Sequence, residues 1–277
     1  MCYPLLFHTT QISNVSSLLI HIHFCWQPTC SFFKTSLGNL NIALVSFPIV
    51  VKNRKMIELY SLAKKIAGSN IPVLITGETG VGKELFARYI HDNCNWSKEG
   101  KFISLNCAAV PENLIETELF GYRKGAFTGA NEDKPGLMSV AHNGTLFLDE
   151  IGEMRPQMQA KLLRAVEKGD FFPVGSVNPN RSNFRLLCAT NRDLEEMVHR
   201  SFFRDDLYFR LCGTSFKIPP LRDRVDEIPE LVSCLIRTLV TRRIAISGVA
   251  LEVLLCHSWP GNVRELGVCR GTEGWAA

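Results

Sequence analysis

The chain has 277 residues, 46% of them hydrophobic and 21% charged, enough for one large α/β core and a smaller appended unit. A formal net charge of +4 falls short of the basic face of a dedicated nucleic-acid binder, so charge names no partner. No apolar run approaches the roughly 20 residues that cross a bilayer, and the ten cysteines are scattered through apolar stretches without a CxxC pair, which predicts buried thiols in a reducing, cytoplasmic setting away from membranes.

Residues 1–46 differ in texture from the rest, with one lysine (Lys34), no acidic residue and many Phe, Ser, Cys and His; they are expected to be a poorly ordered extension of unassigned role. His21, His23, Cys25 and Cys30 lack the short knuckle spacing of common zinc sites. From residue 47 to 220 the pattern is α/β. Ile57, Leu59, Leu62, Ala63 and Ile66 form a helical stripe that stops at Gly68-Ser69-Asn70. The strand Ile71 to Thr76 runs into a glycine loop, and Glu84 to His91 reads as a helix. Further strands are expected at Phe102 to Leu105, Thr145 to Leu148, Phe184 to Ala189 and Ser215 to Ile218, separated by helical patterns. That alternation predicts a mostly parallel sheet covered on both faces. Residues 221–277 turn helical: Leu231, Val232, Leu235, Ile236, Leu239 and Val240 form one stripe and a second begins after Ser247. A third helix starts at Asn262, expected to cap it with Glu265 completing a capping box, and the tail Gly271 to Ala277 breaks the period, so the helical unit reads as clipped.

Gly77-Glu78-Thr79-Gly80-Val81-Gly82-Lys83 fits GxxxxGK between a strand and a helix. Its glycines let backbone N–H groups converge on phosphate at the positive end of the helix, and Lys83 would neutralise the β and γ phosphates of a nucleotide. Glu84 stands where Ser or Thr usually places a hydroxyl on Mg²⁺. Metal ligation then falls to Asp149, while Glu150, leaving the strand end in another direction, polarises the attacking water. Thr190 and Asn191 end the next strand and could contact the γ-phosphate, or form a simple turn. If both are helical, Arg204 and Arg210 point about 120° apart, so a finger acting on a neighbouring subunit is the economical use; an ion pair with Asp205, Asp206 or Asp223 is the alternative. Gly125-Ala126-Phe127-Thr128-Gly129-Ala130 follows the basic pair Arg123-Lys124, and Phe127 is either tucked into the chain's own core or displayed to a partner.

Taken in order, the stretch from Pro48 to Arg270 resembles the AAA+ ATPase domain of bacterial sigma-54 activators, with GAFTGA as the specific mark and GKE as the usual form of the loop end. The resemblance implies a P-loop core over 47–220 and a small α-helical lid over 221–277. It makes Gly77 to Glu84 a Walker A cradle for ATP and Asp149-Glu150 a Walker B pair with Mg²⁺ on Asp149. It also makes Asn106 a switch residue holding the Walker B glutamate, Thr190-Asn191 sensor I, Arg264 sensor II, and Arg204 and Arg210 trans-acting fingers. The implied partners are the sigma-54 RNA polymerase holoenzyme, touched by residues Gly125 to Ala130, and further copies of the chain, usually six in a ring. No DNA-binding unit is expected after Arg270, and a truncated product that binds ATP without turnover or assembly is the second expectation. A DNA-binding role for Ile246 to Leu266 is the third, disfavoured by its few polar side chains.

Overall fold

The computed structural model describes residues 49–94, 100–239 and 246–268; the extension 1–46, with its His and Cys residues, and the tail 271–277 lie outside the described residues. At the centre is a five-stranded parallel sheet of order β2-β5-β8-β1-β9, formed by β1 (Val73–Thr76), β2 (Phe102–Asn106), β5 (Thr145–Asp149), β8 (Arg185–Thr190) and β9 (Thr214–Lys217). All five expected strands are present, with ends displaced by one or two residues.

Strand alternation sends successive side chains to opposite faces, and each face has its own core. Val73, Ile75, Phe147, Leu187, Ala189 and Phe216 pack under α1 (Arg54–Ala67) and α2 (Lys83–Asp92), which contribute Met56, Ala63, Phe86, Ala87 and Ile90. Leu74, Leu105, Leu146, Leu148, Leu186 and Cys188 face α3 (Glu112–Phe120), α5 (Pro156–Lys168) and α7 (Asp205–Leu211). At the far end of β8, Arg185 is 1% exposed and donates to Ala67 O (2.5 Å) and Ile66 O (3.1 Å), placing a cation on the negative end of α1.

Two hairpins too short for a periodicity signal project from the second face. β3 (Gly121–Tyr122) pairs with β4 (Lys134–Pro135) and carries residues 123–133 between them; β6 (Asp170–Phe171) pairs with β7 (Asn180–Arg181). The remaining core helices are α4 (Leu137–Val140) and α6 (Leu194–His199). After β9 come two short 3₁₀ turns and the helices α8 (Ile228–Leu239), α9 (Gly248–Cys256) and α10 (Asn262–Val268). Leu221, Ile228, Val232, Leu254, Trp259 and Leu266 give this helical unit a separate core.

A buried ion pair joins the units. Arg224 (4% exposed) donates to Glu227 Oε2 (3.2 Å) and to Val81 O (2.7 Å), while Glu227 (0% exposed) accepts from the backbone of Lys52 (3.0 Å) and Asn53 (3.1 Å). One arginine and one glutamate thus tie the glycine loop, the strap before α1 and the start of the helical unit to one another.

Candidate nucleotide site

The carboxyl ends of β1, β2, β5 and β8 lie along one edge of the sheet, where ligands collect in open α/β folds. β1 delivers the loop Gly77 to Gly82; β5 delivers Asp149, which sits opposite Asn106 of β2 in the register; β8 delivers Thr190, opposite Thr76. A cavity of about 500 Å³ opens here, lined by Gly80 to Leu85, Asp149, Glu150 and Arg264 on its polar side and by Val50, Tyr60, Ile218, Leu235 and Val263 on its apolar side.

Lys83 is 6% exposed and folds back on the loop, donating to Gly77 O (3.0 Å) and Glu78 O (3.4 Å), with Glu150 Oε1 at 3.3 Å. The other oxygen of Glu150 accepts from Asn191 N at 3.1 Å, and Asn191 Nδ2 donates to Thr79 Oγ1 at 3.0 Å. Glu150 has a left-handed backbone (φ 52°, ψ 49°), costly for a residue with a side chain and concentrated in general at functional sites. The strand ends at Asp149, so strand alternation does not extend to Glu150, and the two acids hold different partners: Asn106 on Asp149, and Lys83 with Asn191 on Glu150. Burial, and then the charge of Glu150, push the Asp149 carboxyl above the usual range, while Lys83 opposes the shift.

The cradle fits a nucleoside triphosphate. Gly82 has φ +104° and open space where a Cβ would stand, directly before the N-terminus of α2, and a buried ammonium lies beside it. A divalent cation fits with help: Asp149 and Glu150 are a repelling pair that a cation would relieve, but the described residues hold no cluster of three or more His, Cys, Asp or Glu side chains. Mg²⁺ bound here would draw on Asp149, phosphate oxygens and water, its usual preference. Glu84, in the hydroxyl position, turns to Arg88 at 3.3 Å and is 53% exposed.

Several expected contacts take another form. Asn106 Nδ2 donates to Asp149 Oδ2 (3.3 Å) rather than to Glu150, because the β2–β5 register places it there, and its Oδ1 accepts from Ala108 N (2.9 Å) and Ala109 N (3.1 Å). Thr190 is fully buried, and its hydroxyl accepts from Arg192 N (3.0 Å) in a local turn; it meets the loop through its backbone carbonyl, which accepts from Gly77 N (3.2 Å), whereas Asn191 reaches the loop with its side chain. Asn262 does not cap α10. Its Oδ1 accepts from Leu221 N (2.7 Å) and its Nδ2 donates to Thr79 O (3.1 Å) and Glu78 Oε2 (3.1 Å), while Glu265 caps the helix through Gly261 N (2.7 Å). Arg264 is exposed at the cavity wall, and its backbone N–H donates to Gly80 O at 3.3 Å.

Arg204 and Arg210 lie away from the cavity lining. Arg204 is the extended N-cap of α7, not part of the helix, so the 120° estimate does not apply; it pairs with Asp206 through Nε (3.0 Å) and Nη2 (2.7 Å). Arg210 donates to Val166 O at 3.4 Å. The buried amide of Gln159, which drew no notice in sequence, accepts from Arg204 N (2.8 Å) and donates to Met154 O (2.8 Å) and Phe202 O (3.0 Å). Arg222, also unremarked in sequence, forks onto Glu78 at 2.9 and 2.5 Å and, with Asn262, holds its carboxyl down to about 2.

The glycine-flanked loop closes on itself: Gly125 N donates to Ala130 O (2.8 Å) and Ala130 N to Phe127 O (3.0 Å). Asp133 braces its base through Arg123 Nη1 (2.5 Å) and Lys124 N (2.7 Å). Phe127 is 45% exposed, with one edge on Tyr122 (centroids 5.0 Å apart), so it is neither fully tucked in nor fully displayed. Thr128 and Gly129 are exposed and Ala130 is buried.

The same arrangement recurs in known proteins. The family described as Sigma-54 interaction domain matches residues 49–217, and the AAA+ ATPase lid domain matches residues 222–270. An uncharacterized protein in the HyuA 5′ region of Pseudomonas sp. (strain NS671) is 46% identical over 222 residues, covering 79% of this chain and 75% of that protein. The DNA-binding transcriptional regulator NtrC of Rhizobium meliloti is 43% identical over 222 residues, covering 79% of this chain but only 46% of the regulator. Among solved structures, NtrX from Brucella abortus in complex with ATP superposes with a TM-score of 0.74 at 32% identity, over 79% of this chain and 48% of that one. The chain therefore spans less than half the length of the named regulators, and over that span it belongs to the sigma-54 interaction domain family, an AAA+ P-loop core followed by its helical lid.

Proposed function

We propose that the chain is an ATP-hydrolysing module that couples turnover to remodelling of sigma-54 RNA polymerase. The observation that carries this reading is the convergence on Glu150: Lys83 at 3.3 Å on one oxygen and the Asn191 amide at 3.1 Å on the other, beside a glycine cradle at a helix N-terminus. In the working cycle Lys83 leaves the carbonyls of Gly77 and Glu78 for the β and γ phosphates. That exchange frees Glu150 to orient the attacking water and accept its proton. Asp149 would hold Mg²⁺, which when bound would supply charge neutralisation on the phosphate oxygens. Asn191, linked to both Thr79 and Glu150, relates the cradle to the base, and Asn106 steadies Asp149.

Arg204 and Arg210 act on the site of a neighbouring copy, in a ring usually of six, stabilising the charge that builds on the transferred phosphoryl group. Their placement off their own cavity supports this, as do the exposed Phe202 (61%) and Phe209 (74%) beside them, apolar surface suited to a subunit contact. Phe127 and Thr128, on a loop carried by a hairpin of two residues per strand, are the groups that touch the sigma factor.

Phosphate release from ATP across a protein concentration series, with Lys83→Ala as control, tests the reading. The expected result is turnover that rises more steeply than protein concentration and vanishes in the control. ATP binding without turnover at any concentration would sink hydrolysis and leave a binding module.

A further inference from the structure

The helical unit grips the phosphate cradle at three consecutive residues. Arg222 forks onto the carboxylate of Glu78 (2.9 and 2.5 Å), Asn262 Nδ2 takes Thr79 O and the same carboxylate (both 3.1 Å), and the Arg264 amide takes Gly80 O (3.3 Å). Asn262 is 0% exposed and holds a left-handed backbone (φ 53°), a conformation uncommon outside glycine. Its acceptor is committed to Leu221 N at 2.7 Å, so its orientation is fixed from its own unit and its donors are aimed at the loop. The approach is close: a Cβ on Gly80 would stand 2.3 Å from Gly261 O and 3.0 Å from the Cβ of Arg264.

In a planar trans peptide the C=O of one residue and the N–H of the next point in opposite directions. Fixing Thr79 O toward Asn262 turns the Gly80 N–H away from the helical unit, and fixing Gly80 O toward Arg264 does the same for the Val81 N–H. These are amides of the glycine cradle, and a nest of such groups attracts an anion only when they converge. Apolar side chains of the cavity wall, among them Ile218, Leu235 and Val263, do not depend on those planes.

Resting on the nucleotide reading above, we propose that Asn262 is a positioning residue for phosphate: from the helical unit it sets the peptide plane between Thr79 and Gly80, next to the plane that the Arg264 amide holds, so that the cradle's N–H groups face the ligand. Its loss removes the affinity contributed by phosphates and spares the affinity contributed by the base and ribose.

Equilibrium binding of AMP, ADP and ATP to the full chain and to Asn262→Ala tests this. The wild type should bind more tightly with each added phosphate. In Asn262→Ala the ADP and ATP affinities should fall about tenfold, or ~1.4 kcal/mol, with AMP within about twofold of wild type. Because alanine also strips Leu221 N of its acceptor, Asn262→Asp is measured alongside: it keeps that acceptor, removes the donors, and should lose the phosphate increment too. Equal losses for all three nucleotides, or an intact phosphate increment in either variant, would overturn the positioning role. A wild-type chain that binds ATP no better than AMP would instead overturn the nucleotide reading itself.

Discussion

Replacing Glu227 by alanine should destabilise the chain more than any exposed ion pair it carries, and the size follows from what the carboxylate touches. Removing it leaves the Lys52 and Asn53 amides without their acceptor and Arg224, 4% exposed, without its counter-charge. Burial already pushes the Arg224 pKa down, with Glu227 the main opposing influence, so Glu227 offsets the cost of burying a guanidinium that stays charged. A buried pair broken at one end costs about 3–5 kcal/mol, and two unpaired amides lie within the same range at about 1 kcal/mol or more each. The expected loss is about 4 kcal/mol, or about 10 °C in Tm for a domain of this size. Urea unfolding monitored by fluorescence, with calorimetry alongside, reads it directly. Glu227→Gln, which keeps an acceptor for the amides and loses only the charge, should fall between wild type and alanine. Glu58→Ala, breaking the pair of Arg54 and Glu58 whose side chains are 93% and 65% exposed, should change nothing measurable. A loss under about 1 kcal/mol for Glu227→Ala would refute the reasoning, since the pair would then not tie the three segments together.

Three further outcomes are expected. Phe127→Ala should leave ATP hydrolysis near wild type and abolish sigma-54-dependent transcription, measured side by side; equal loss of both would remove the loop from partner contact. Glu78 has its carboxyl lowered from 4.5 to about 2, first by Arg222 and then by Asn262, so its contribution to stability is fully present above about pH 4.5 and is lost as pH falls toward 2. The stability gap between wild type and Glu78→Gln, small because the pair is partly exposed, should therefore narrow across that window, and a gap that widens would contradict the ion pair. Cys107, pushed up to about 12 by burial, and the fully buried Cys188 should resist a thiol reagent at neutral pH, whereas the exposed Cys256 reacts promptly, as mass spectrometry of the labelled folded chain would reveal.

The centre of the parallel sheet was legible because Val73 to Thr76, Thr145 to Leu148 and Leu186 to Ala189 are short, largely apolar runs, and burial on both faces leaves such runs unbroken; the edge strands β2 and β9 are part exposed and more polar. The cradle was legible because its chemistry is local: three glycines and a lysine within seven residues, with a strand before and a helix after. What escaped was tertiary. Asn262 and Glu265 have the spacing of a capping box, but the asparagine side chain is drawn off by Glu78 and Thr79, more than 180 residues earlier, and Glu265 caps alone. Gln159 and Arg222 carry no signal because the contacts that matter, to Arg204 N and to Glu78, lie 45 and 144 residues away. The hairpin that presents Phe127 has two residues per strand, too few for alternation to register. The positive φ at Glu150 is one that no residue preference announces.

The most direct test of a site completed by a second copy is a mixing experiment. Lys83→Ala keeps its arginines and loses its cradle, while Arg204→Ala keeps its cradle and loses an arginine that is exposed and outside its own cavity lining. Each alone should release little phosphate from ATP. Mixed in equal amounts they should regain a substantial share of wild-type turnover, because some sites in the mixed assembly pair an intact cradle with an intact arginine. An Arg204→Ala chain that hydrolyses ATP at the wild-type rate by itself, or a mixture no more active than the sum of its parts, would contradict the account.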